Sequence, residues 1–98
     1  MAIRGLDDDG QHLIIAGDAN TLATNNYASF SLGNSSSRYR CFVAFWNMKS
    51  QDLTRVWDFI DQRVFGVISI EDEVLVFGVD NVYICSVNSK PRVLLPLR

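Results

Sequence analysis

The sequence predicts an α+β domain: a curved, mainly antiparallel sheet of about five to seven strands with one amphipathic helix over about residues 50–62, in the order β-β-β-α-β-β-β. Three observations lead there. Residues 64–70, 74–79 and 82–87 are short runs rich in Val, Ile, Phe and Tyr, separated by turn residues. Residues 27–32 alternate, with Ala28, Phe30 and Leu32 on one face and Ser29 and Ser31 on the other. Leu53, Val56, Trp57 and Ile60 fall at i, i+3, i+4 and i+7, the apolar stripe of a helix.

In chain order, the first strand spans residues 12–17, after an acidic turn of Asp7, Asp8, Asp9 and Gly10. Residues 21–26 are polar and carry no clear period. The alternating strand 27–32 is followed by a loop of Gly33, Asn34 and three serines, and residues 38–46 return as a strand, making a hairpin. Ser50 then offers an N-cap, and Asp52 places negative charge in the first turn of the expected helix. Beyond Gln62 the period becomes extended. Glu71, Asp72 and Glu73 form a hairpin tip, Asp80 and Asn81 a tight connection, and residues 88–91 a further turn. The last segment, 92–97, contains Pro96 and so suits a sheet edge. No internal repeat of useful length emerges; residues 13–18 and 75–80 resemble each other only as two short strands ending near Gly and Asp.

The C-terminal strands pose a packing problem. A strand with one wet face alternates apolar and polar residues, whereas these carry apolar residues on both faces. A helix about 10 Å wide covers only about two strands spaced about 4.8 Å apart. The rest of the sheet must therefore curl around its own core, split into two packed layers, or pair with a second copy. Gly66 and Gly78 interrupt these strands and allow bending or a small hollow.

The 98 residues fit a single domain, 1–98, and 48% hydrophobic with 20% charged residues is a globular composition. No apolar run approaches the roughly 20 residues that span a bilayer. The N-terminus lacks the apolar stretch of a secretory signal, so the expected compartment is cytoplasmic, without a membrane partner. A formal charge of −2 disfavours sequence-independent nucleic-acid binding. Cys41 and Cys85 lie in apolar strands and read as buried reduced thiols.

Candidate chemistry is sparse. His12 is the only histidine and has no nucleophile at a diagnostic spacing. A thiol in an apolar strand is a poor nucleophile, which disfavours Cys41 or Cys85 as its partner. The Asp7–Asp9 cluster departs from a calcium loop, which needs glycine at the sixth position and Glu at the twelfth; here these are His12 and Asp18. No phosphate-cradling glycine loop occurs. No cofactor, metal site or catalytic residue is therefore expected.

Binding residues are easier to nominate. Arg38, Arg40, Phe42, Ala44 and Trp46 share one strand face, basic at one end and aromatic at the other, while Tyr39, Cys41, Val43 and Phe45 share the core face. Trp57, Phe65 and Phe77 complete the candidate set. The reading favoured is a small non-enzymatic interaction protein that homodimerises, or binds a protein partner, through a sheet face or edge. The alternative is an apolar-ligand domain with Trp46, Trp57, Phe65 and Phe77 lining a pocket between sheet and helix.

Overall fold

The fold, taken from a computed structural model, is described over residues 2–19 and 39–98, and it is all-β. Eight strands follow in order: β1 Ala2–Asp8, β2 His12–Ala19, β3 Tyr39–Asn47, β4 Asp52–Asp61, β5 Val64–Ile70, β6 Glu73–Gly78, β7 Asn81–Ser86 and β8 Ser89–Pro96. They form two four-stranded antiparallel meanders, β1-β2-β3-β4 and β5-β6-β7-β8. The α+β expectation is thus corrected, and no helix occurs among the described residues. The strand expected at 27–32, its loop and Arg38 lie outside the described residues.

The expected helix is β4. It pairs along its length with β3, from Asn47 opposite Asp52 to Tyr39 opposite Asp61. As a strand it divides the helical stripe between two faces: Arg55, Trp57, Phe59 and Asp61 turn one way, Val56, Asp58 and Ile60 the other. Thr54, Val56, Trp57, Phe59 and Ile60 are β-branched or aromatic, types that favour a pleated surface. The supposed cap belongs to the β3–β4 turn. There the Asn47 side-chain oxygen accepts the Lys49 and Ser50 amides, each at 3.0 Å, and Gln51 takes φ 60. Tertiary pairing overrides the helical periodicity.

The two-faced strands find one cover in the other sheet. Ile14, Ala16, Cys41, Val43 and Phe45 of the first sheet pack against Val64, Val67, Val74, Val76, Tyr83 and Cys85 of the second. The close contact lies between β5 and the pair β1 and β2, and β4 touches β8. Gly5 permits it: a Cβ there would stand 3.0 Å from both the Gly66 Cα and the Val67 nitrogen. Side chains cross the same boundary, since the Trp57 indole donates to the Ser86 carbonyl at 2.8 Å and Arg55 Nε to the Val87 carbonyl at 3.1 Å.

The two sheets are copies of one pattern. A shift of 61 residues carries Gly5 onto Gly66 and Gly17 onto Gly78 with the strand register intact: Ile3 opposes Gly17 as Val64 opposes Gly78, and Gly5 opposes Ala16 as Gly66 opposes Phe77. Both first strands bulge at the same place, between Ile3 and Gly5 and between Val64 and Gly66. The turns also agree, with positive φ at Gly10 and at its counterpart Glu71. The correct superposition lies one residue away from the faint likeness of 13–18 to 75–80, which sets Gly17 against Val79.

Candidate interaction surface

Each sheet has one face in the core and one towards solvent. On the first sheet, register places Leu6, Ile15, Ala44 and Val56 in a single row across all four strands. A second row runs Leu13, Trp46, Leu53, and a third Ile3, Gly17, Phe42, Asp58. Leu6 is 61% exposed and Leu53 53%. On the second sheet the outward rows are Ile68, Leu75, Ile84, Arg92 and Gly66, Phe77, Val82, Leu95. Ile68 and Leu95 are exposed there, and Phe65, on the bulge, is 62% exposed. Two contiguous apolar faces on a domain of this size are unusual, because such patches on a monomer ordinarily mark contact surfaces.

The sequence-nominated residues separate between these faces. Phe42 and Trp46 lie on the outer face of the first sheet, half-buried and exposed respectively, and Arg40 beside them pairs with Asp58 at 2.7 Å. Phe65 and Phe77 belong to the outward side of the second sheet. Trp57 turns inward, packs against the core and carries the Arg55 guanidinium 4.7 Å from its ring centre. Arg38 lies outside the described residues. Trp46, Trp57, Phe65 and Phe77 therefore do not converge on one cavity.

Leu6, Leu13, Ile15, Val56, Leu75 and Ile84 escaped nomination. Those of β1 and β4 were hidden because Ala2–Asp8 carried no strand signal and 50–62 read as helix. Leu13 and Ile15 lay in a segment read only as a strand, Leu75 and Ile84 in the two-faced strands, and nothing in the sequence said which face stays open.

A polar cleft of about 270 Å³ opens between the sheets at one end, lined by Asp9, Gln11, His12, Phe45, Ser69, Asp72, Val74, Ser86, Val87 and Asn88. His12 is buried, sits 3.3 Å through Nδ1 from an Asp9 oxygen and presents its ring edge-on to Phe45. Asp9 accepts the His12 and Gln11 amides at 2.6 and 2.8 Å. Partial burial pushes the Asp9 pKa up, but these amides and the imidazole together outweigh it and hold the carboxyl below its ordinary value. The bonds fix the β1–β2 turn, and no serine or cysteine nucleophile lines the cleft beyond the hydroxyls of Ser69 and Ser86.

The other buried polar groups are structural. Asp61 is fully buried; it accepts the Gln62, Val79 and Asp80 amides at 2.6, 3.0 and 3.1 Å and the Tyr83 hydroxyl at 2.7 Å. Asp18 accepts Arg4 Nε and the Val64 amide, each at 3.3 Å, tying the end of β2 to the start of β5. Cys41 and Cys85 are both buried, and the Cys41 thiol donates to the Asp61 carbonyl at 3.8 Å. Burial pushes both up to about 12, aided at Cys41 by the nearby Asp61 and Asp18 charges. Tyr83 also rises to about 12, mainly by burial. Among the described residues no cluster of His, Cys, Asp and Glu could hold a metal, and no helix is long and apolar enough to cross a membrane. No protein family, curated protein or solved structure matches the chain.

Proposed function

We propose that the chain is a non-enzymatic interaction module that docks a protein surface on its exposed apolar sheet faces. The observation carrying this reading is the unbroken row Leu6, Ile15, Ala44 and Val56, which spans the first sheet on the side away from the core. A face with only a structural role would be covered by its own chain. Leu6, Leu53, Val56 and Ile60 are instead each about half exposed or more. Association there removes apolar area from water at about 25 cal/mol per Å², the gain that must outweigh the lost translational and rotational freedom of the partners.

The test separates docking from internal packing. Leu53→Glu with Val56→Glu should leave the melting temperature of the dilute chain nearly unchanged, as exposed substitutions typically shift stability by less than about 0.5 kcal/mol. The same pair should reduce binding of a fluorescent apolar probe to the native chain, leaving only the share held by the second sheet's outer face. Collapse of the fold, or undiminished probe binding, refutes the reading.

A further inference from the structure

The repeat determines which way the two sheets are related. Under the 61-residue shift, Leu13 and Ile15 on the outer face of the first sheet correspond to Val74 and Val76, which are buried in the core. Ile14, buried at the centre, corresponds to Leu75 on the outer face of the second sheet. The later strands follow suit. Trp46 answers to buried Cys85, and buried Phe45 to outward Ile84, because each pair opposes matching residues of the preceding strand. A two-fold relation would match inner face to inner face. Here inner matches outer, so one sheet becomes the other by a head-to-tail rotation.

The exposed face of the second sheet repeats the face that the first sheet presents to the core, and the exposed face of the first repeats the one that the second presents. The two open faces are thus a complementary pair whose fit is already seen once, inside the chain. Gly66 supplies independent support. Its counterpart Gly5 must lack a side chain because its backbone lies on the next sheet, yet a Cβ on Gly66 would meet nothing within 4 Å. The same clearance is kept on a side where none of the described residues stands within 4 Å.

We propose that a second copy of this chain seats head-to-tail on these faces, laying the outer face of its first sheet on the outer face of the second sheet, with Gly66 as the point of closest backbone approach. The proposal rests on the docking reading and names its partner. Arg92 answers to Arg55, since these residues oppose the matched Ile84 and Phe45. In the assembly it donates to the Met48 carbonyl of the next copy, as Arg55 does to that of Val87. A heterologous contact closes into a ring when its rotation allows. Rings of four-stranded meanders typically hold about four to eight sheets, so closure takes about two to four copies.

A complementation experiment tests this by sedimentation velocity at tens of micromolar. The wild-type chain should sediment above its 11.0 kDa monomer mass. Gly66→Leu blocks one face and Leu53→Glu with Val56→Glu the other. Each variant alone should be monomeric with an unchanged circular dichroism spectrum, and an equimolar mixture should restore a one-to-one dimer through the two remaining open faces. Arg92→Ala should weaken wild-type association about tenfold, the loss of one hydrogen bond of about 1.4 kcal/mol. A strictly monomeric wild type overturns the proposal. So does a variant that still dimerises alone, which would show a two-fold contact through one face and would leave the broader docking reading standing. Loss of the fold in the Glu pair sinks that broader reading instead, and Gly66→Leu with Leu75→Glu then carries the test of the second face.

Discussion

The Tyr83 hydroxyl of the second sheet donates to the fully buried Asp61 carboxylate of the first at 2.7 Å. Asp61 ends β4 and its side chain also gathers the Val79 and Asp80 amides before β7. One carboxylate therefore fastens the last strand of one sheet to a turn of the other.

Asp61→Ala should destabilise the chain by about 3–5 kcal/mol, because it strands buried amides as well as the tyrosine hydroxyl. Tyr83→Phe removes the bond to the Asp61 carboxylate and the one accepted from the Asn81 side-chain amide at 3.1 Å, and should lower stability by about 1.5–3 kcal/mol. Urea denaturation of both variants and their double mutant checks this, with the double mutant falling short of additivity.

Gly5→Ala and Gly66→Ala should behave oppositely despite their equivalent positions. The first drives a methyl to 3.0 Å from the backbone of β5 and should lose about 1–3 kcal/mol as an overpacked site. The second enters open space and should be neutral or stabilising by up to about 1 kcal/mol, through reduced freedom of the unfolded chain. Thermal melts of dilute samples resolve the difference.

Alkaline pH should unfold the protein through its thiols. Below pH 9.0 both states keep the Cys41 and Cys85 protons, so stability is level there. Above it the unfolded chain gives them up while the folded chain retains them to about 12. Stability then falls with rising pH, at about 1.4 kcal/mol per pH unit for each thiol. Cys85→Ala should lower the starting stability but also reduce that slope. In the native state both thiols should react with a disulfide reagent far more slowly than in urea.

Acid acts on the β1–β2 turn. Asp9 titrates below its ordinary value in the folded chain, so its contribution is present above the unfolded carboxyl pKa and is lost as pH falls through the folded one. Asp9→Asn should melt below the wild type at pH 7, and the two should converge as acid protonates the folded Asp9 carboxylate, below its ordinary value. A constant gap would show that the ionised carboxylate is not what holds the turn.

Much of the second sheet could be read from sequence because its strands are short, rich in β-branched residues and joined by tight turns. The first sheet was harder for specific reasons. Ile3, Arg4 and Gly5 surround a bulge, which breaks the alternation that would have revealed β1. Leu53, Val56, Trp57 and Ile60 satisfy the helical period, and only pairing with β3 splits them, turning Trp57 to the core and Val56 and Ile60 away from it. The exposed apolar faces escaped for a related reason. Leu6, Leu13 and Ile15 have the chemistry of core residues, and whether such residues meet their own chain or solvent depends on how the sheets stack.

The meander order also bears on the route by which the chain folds. Every pairing in the second sheet joins consecutive strands across turns of a few residues, so its closure entropy is small at each step. In the first sheet, β2 and β3 must come together across residues 20–38 before the Phe45 side can form. The β5–β8 sheet is thus the natural nucleus, onto which β3 and β4 condense late. Conservative truncations at Val76 should slow folding, whereas those at Val43 should chiefly hasten unfolding.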